Sequence, residues 1–289
     1  VSMSFEDRTW LSPDGLALHY RDYPGSAAAT PVLCIPGLTR NARDFEGVAE
    51  RLSGARRVIV VELRGRGQSH YAPDPMTYVP PVYVGDILAL IQQAGLGPVA
   101  LFGTSLGGIV AMLLSAMQPD ALAGVLLNDV GPVIDPAGLA RIAAYTGRDV
   151  GWPDWDTAAA AQAATHAHAF PDYGPAEWLA MAHRVARDRD GLIVTDYDPA
   201  IAVPFSAPPP DPAPDPWPFL NGLVGKPALL VRGALSDILS AETAARMIDR
   251  LPQMELLTLP RIGHAPMLDE PECVAAIDRL LARIDAARE

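Results

Sequence analysis

Residues 99–108, Val-Ala-Leu-Phe-Gly-Thr-Ser-Leu-Gly-Gly, constrain this chain more than any other stretch. An apolar run ends at Gly103, Ser105 stands between Gly103 and Gly107, and an apolar, helix-like segment opens at Leu106. The pattern predicts a strand, a sharp turn and a helix, with the serine at the apex. Such a turn forces the serine into a strained backbone conformation, and the glycines leave room where side chains would collide. The serine oxygen is then lifted clear of the sheet edge. The N–H of Leu106 opens the helix, where the positive end of the helix dipole favours developing negative charge. That arrangement suits attack on a carbonyl.

A serine hydroxyl is a weak nucleophile unaided, so this expectation requires a base and an acid to orient it. Of the six histidines, His264 is the candidate base. It lies in Gly-His-Ala-Pro-Met just past the apolar strand predicted at Met254–Leu259. His166, His168 and His183 fall in alanine-rich helical stretches, His19 in an N-terminal strand and His70 in a surface loop. Two acids compete. Asp237 follows the buried-looking strand that ends at Gly233, and Asp129 follows a strand over Gly124–Asn128. Asp237 is preferred, which puts serine, acid and histidine in that chain order, each beyond a strand end. In an open parallel sheet those carboxyl ends line one edge, where ligands bind.

The rest of the chain supports that sheet. Ser4–Trp10 and Leu16–Asp22 read as a hairpin around Ser12-Pro-Asp-Gly. Strands at Val32–Ile35, Val58–Glu62 and Val99–Phe102 alternate with helical segments near Ala42–Leu52 and Pro81–Ala94. From 131 to 220 the texture changes to alanine-rich helical pieces without a comparable buried strand. Eight prolines between Pro204 and Pro218 then form an extended return segment. The expected division is a core of residues 1–130 and 221–289 with a helical insertion at 131–220. Four of the five tryptophans lie in that insertion, mostly packing it, with Trp152 taken as pocket lining beside Thr39 and Met267.

Four segments in order, Val32-Leu-Cys-Ile-Pro-Gly-Leu, Glu62-Leu-Arg-Gly-Arg-Gly-Gln-Ser, the Ser105 turn and Gly263-His-Ala-Pro, resemble the α/β-hydrolase superfamily over almost the whole chain. The resemblance implies a mostly parallel eight-stranded sheet flanked by helices, with the helical insertion serving as a lid after the sixth strand. It also implies an oxyanion hole from the backbone N–H groups of Leu38 and Leu106. Pro36-Gly37 replaces the usual His-Gly before that loop, and Glu62 replaces the usual aspartate in a structural turn. The implied activity is hydrolysis of a small, largely apolar ester or lactone through an acyl-enzyme on Ser105, without a metal or organic cofactor. Cleavage of a carbon–carbon bond by the same triad, and a non-catalytic binding protein on the same fold, are the alternatives. Similar bacterial hydrolases often have no assigned substrate.

Composition bounds the partners. A net charge of −12 disfavours nucleic acid and anionic membrane surfaces, leaving a small molecule as the expected partner. Apolar residues at 49% and charged residues at 19% fit a globular domain. No apolar run reaches the roughly 18 residues of a bilayer span. The opening residues lack the basic and apolar parts of a signal peptide. Two scattered cysteines, Cys34 and Cys273, fit reduced thiols in a cytoplasmic protein.

Overall fold

The computed structural model describes residues 5–206 and 215–287. Most of the proline-rich return segment, 207–214, lies outside them, as does Ser4. The strands in chain order are β1 (Glu6–Leu11), β2 (Ala17–Tyr23), β3 (Val32–Ile35), β4 (Val58–Val61), β5 (Val99–Thr104), β6 (Leu122–Asn128), β7 (Gly151–Trp152), β8 (Ala186–Arg189), β9 (Leu192–Thr195), β10 (Ala228–Gly233) and β11 (Met254–Leu259). Helices are α1 (Glu46–Leu52), α2 (Pro80–Gln93), α3 (Leu106–Met117), α4 (Pro136–Tyr145), α5 (Trp155–His166), α6 (Pro175–Val185), α7 (Ala241–Arg250) and α8 (Pro271–Ala286). Among the described residues, no helix is long and apolar enough to cross a membrane.

Eight strands form one sheet in the order β1-β2-β4-β3-β5-β6-β10-β11. The β1–β2 and β2–β4 pairs are antiparallel, and every pair from β4 to β11 is parallel. Strands such as Val32–Ile35 and Val58–Val61 are apolar throughout because both faces are covered. Alternation divides their side chains between two layers. Leu33, Ile35, Leu101 and Leu127 point to the layer formed with α2, α3 and α7. Val32, Cys34, Phe102 and Leu126 point to the layer formed with α1 and α8. Each fully buried aliphatic side chain contributes about 1.5–3 kcal/mol. The order reverses direction at β3, whose neighbours are β4 and β5, so a crevice opens at the carboxyl ends of β3 and β5.

The resembling turn after β4 is structural, as expected. The Glu62 carboxylate accepts hydrogen bonds from Gln68 N (2.6 Å) and Ala42 N (3.2 Å) and is paired with His19 Nδ1 at 2.9 Å. Arg64 is buried and forked onto Asp86 at 2.7 and 2.8 Å. Arg66, also buried, donates to the carbonyls of Arg64 and Leu38 and to the Tyr83 hydroxyl.

Between β6 and β10 the chain builds a unit with its own apolar cluster, including Phe170, Trp178, Met181 and Ile193. It departs from the expected all-helical texture in one respect. β7, β9 and β8 form a small antiparallel sheet. Asp190 (φ 56°) and Gly191 (φ 84°) turn β8 into β9, and an Asp-Gly pair between short apolar stretches is a hairpin signal that the surrounding alanines conceal. Trp217 and Leu220 pack with the layer of α2 and α3 rather than with this unit.

Candidate active site

Ser105 sits between β5 and α3 with φ 52° and ψ −115°, a left-handed conformation costing about 1–3 kcal/mol outside glycine. The surrounding backbone overdetermines it. Ser105 N donates to Asn128 O at 3.0 Å, and Ser105 O accepts from Gly108 N and Ile109 N. A Cβ on Gly107 would run into the Ile35 carbonyl oxygen, and one on Gly103 into Gly107 O. This close approach is what the two glycines of the turn permit.

His264 lies on the loop between β11 and α8, with Nε2 2.9 Å from Ser105 Oγ. The loop is tied from two sides. Asn128 Nδ2 donates to Pro266 O at 2.8 Å, and Gly263 N donates to Ala169 O of the insertion at 2.6 Å. Nδ1 of His264 lies 2.7 Å from Asp129 Oδ2. Asp129 is fully buried, takes φ 55° directly after β6, and accepts further hydrogen bonds from Gly233 N (2.8 Å) and Ser236 Oγ (2.6 Å).

The structure thus places Asp129, and not the preferred Asp237, against His264. Asp237 lies four residues beyond β10, half-buried, and its carboxylate is forked onto Arg141 of α4 at 2.5 and 2.8 Å. Burial alone would raise its pKa, but the Arg141 guanidinium brings it below the ordinary aspartate range. Asp129 needs no loop to reach the histidine, because β6 runs beside β5 with Asn128 in register with Thr104. The next residue on each strand is Asp129 and Ser105, respectively. Immediate succession to a buried strand, rather than a place further along a loop, was the available sequence signal.

Leu38 lines the same cavities as Ser105, and Leu106 directly follows the serine. Leu106 is the first residue of α3, where a helix leaves its N–H without an intrahelical acceptor. Leu38 follows Gly37 in the β3 loop, and Arg66 Nε holds its carbonyl at 2.8 Å. Thr39, Trp152 and Met267 all line one cavity of about 290 Å³ together with Ser105 and His264. Tyr145, Arg148 and His166 of the insertion line it too, and no sequence pattern singled them out. Among the other tryptophans, Trp178 and Trp217 are buried and Trp155 stacks on His183, with ring centroids 3.9 Å apart.

His166 faces that cavity edge-on to Tyr145, ring centroids 5.4 Å apart. Burial first, then the positive charges of Arg40 and Arg141, push its pKa from an ordinary 6.5 down to about 3. The unfolded chain therefore takes up a proton near the ordinary value, while the folded protein does not until much lower pH. Stability should fall on acidification through that window. His166→Asn removes this contribution, so its urea midpoint should drop less than that of the native protein between about pH 7 and about pH 4. Equal drops would contradict the assignment.

The alpha/beta hydrolase family pattern matches residues 32–277. The chain is 34% identical over 274 residues to a 3-hydroxybutyrate-oligomer hydrolase of Cupriavidus necator, covering 92% of this chain and 93% of that protein. A 2-(acetamidomethylene)succinate hydrolase of Mesorhizobium japonicum is 27% identical over 250 residues, covering 81% of each. Among solved structures, an alpha/beta hydrolase from Novosphingobium aromaticivorans superposes with a TM-score of 0.93 at 51% identity, covering 97% of this chain and 99% of that one. With the sheet order, the strained serine turn and the extent of these matches, the chain belongs to the alpha/beta hydrolase family.

Proposed function

We propose that the protein is a serine hydrolase of small, largely apolar esters or lactones, working through an acyl-enzyme on Ser105. The observation that carries this is the continuous relay Ser105 Oγ–His264–Asp129, at 2.9 and 2.7 Å. In the proposed reaction Ser105 Oγ attacks the substrate carbonyl while His264 Nε2 takes its proton. Asp129 holds Nδ1–H, fixing the tautomer and stabilising the imidazolium. The N–H groups of Leu38 and Leu106 receive the oxyanion, each such donor being worth about 100- to 1000-fold in rate. His264 returns the proton to the leaving oxygen, then activates water to release the acyl group. The part of the insertion that carries Ile142, Tyr145, Trp152 and His166 acts as a lid over the site, because these side chains line one wall of its cavity. The ester reading is supported by similarity to a hydrolase of 3-hydroxybutyrate oligomers. The two free, buried cysteines fit a reducing cytoplasm.

A fluorophosphonate probe should label the native protein and leave Ser105→Ala unlabelled, read by intact mass. Equal labelling of the two would remove the nucleophile and favour a binding protein. An ester panel run beside a dienoic diketo-acid panel separates ester from carbon–carbon bond cleavage. Turnover confined to the second panel would overturn the ester assignment.

A further inference from the structure

Two cavities meet at Ser105, and they differ in what else they contain. The first, described above, holds His264 and the following residues to Leu268. The second, about 300 Å³, is lined by Leu106, Ile109, Val130, Leu139 and Phe205 among others, and none of His264–Leu268 reaches it. Its two tyrosines have their hydroxyls engaged, Tyr78 with Asp198 and Tyr83 with Arg66. This second cavity is therefore an apolar chamber.

General acid catalysis assigns the two halves of a substrate. The oxygen that departs must lie within hydrogen-bond reach of His264 Nε2, because that atom delivers its proton. The alcohol half therefore occupies the histidine-side cavity, and the acyl half extends into the apolar chamber.

The charges of the histidine-side cavity define the alcohol further. Arg40 is cancelled by Asp44, with both hydrogen bonds at 2.7 Å. His264 is committed to Asp129, and His166 is neutral across the physiological range. Arg141, close behind, is taken by Asp237. Arg148 alone among the cavity's charged side chains has no hydrogen-bond or ion-pair partner among the described residues. Arg148 and its neighbour Asp149 are both exposed, and of the two only Arg148 lines the cavity. A protein of net charge −12 thus presents one exposed, uncompensated cation on the wall of the cavity that holds Ser105. We infer that Arg148 binds the carboxylate of a hydroxy-acid leaving group, so that the preferred substrates are esters of a short apolar acyl group with a small hydroxy acid. This rests on the ester-hydrolase reading above and specifies its substrate. In acylation the Ser105 Oγ–carbon bond forms and the carbon–alkoxide bond breaks. The serine proton passes through His264 to the alkoxide, and the hydroxy acid leaves with its carboxylate unchanged. Water then supplies OH to the acyl carbon and the proton that restores Ser105.

The test compares the butyrate ester of 3-hydroxybutyric acid with the same ester carrying a carboxamide in place of the carboxylate. The native protein should prefer the carboxylate by about three- to fivefold in kcat/KM, as expected for one ion pair to an exposed side chain. Arg148→Gln should erase most of that preference by raising KM for the carboxylate, and Arg148→Lys should retain most of it. No preference in the native protein, or equal losses on both esters in Arg148→Gln, would overturn the inference while leaving the hydrolase reading intact. A second measurement, calorimetric binding of 3-hydroxybutyrate to Ser105→Ala, does not depend on turnover. Binding that disappears in Ser105→Ala/Arg148→Gln supports the carboxylate site even if neither ester is cleaved, and absence of binding sinks it.

Discussion

Asp129→Asn is expected to lower kcat by about four orders of magnitude with little change in KM. The amide cannot stabilise the imidazolium, and it favours the wrong histidine tautomer. Asp237→Asn should cost less than about tenfold, with the effect falling mainly on KM. Its partner Arg141 is on α4, whose Ile142 and Tyr145 line the substrate cavity, so the change would loosen the cavity wall and spare the relay. Steady-state kinetics on one activated ester, with both variants side by side, decides between the acids. A large kcat loss in Asp237→Asn together with a small one in Asp129→Asn would reverse the assignment.

Gly107→Ala should destabilise the fold by about 3–5 kcal/mol, at the high end for a single substitution. The new Cβ would meet the Ile35 carbonyl oxygen, with Pro36 O also only 3.0 Å away. Ile35 belongs to β3, which is paired on both sides and cannot yield without breaking the centre of the sheet. Gly47→Ala is the matched control. It lies within α1, nothing stands within 4 Å of its added Cβ, and it should be neutral or slightly stabilising. Urea unfolding reads both. A Gly107→Ala protein within about 1 kcal/mol of native would show that the turn is slacker than its geometry implies.

The parts of the site legible in the sequence are those written locally. Ser105 is announced by an apolar strand, two glycines and a helix start within ten residues, and His264 by its place on a short loop past a strand. The strands themselves were legible for the same reason: Val32–Ile35, Ala228–Gly233 and Met254–Leu259 are unbroken or nearly unbroken apolar runs. The acid was not, because its identity depends on lateral contacts. Asp129 and Asp237 both follow strands, and nothing nearby says which one the histidine loop leans over. Asn128, reaching from the end of β6 to Pro266 O, decides it across 138 residues. Arg141 removes the competitor from 96 residues away. Tyr145 and His166 were hidden likewise, since alanine-rich helices carry no periodic mark of which face looks inward, and Arg148 lies just past the end of α4.

The register between β5 and β6 has a consequence for how the site tolerates change. Ser105 and Asp129 each follow one member of the same ladder pair, and Ser105 N is bonded to Asn128 O. Their separation is thus a property of the sheet, as rigid as the spacing of its strands. The histidine alone rides on a loop, and that loop is also fastened to the insertion through Ala169. The insertion can therefore be remodelled for new cargo without disturbing the proposed nucleophile or acid, provided that this tether and the ion pairs Arg261–Asp172 and Arg184–Asp269 still deliver the imidazole between them. Selection acting on specificity and selection acting on chemistry meet on one loop.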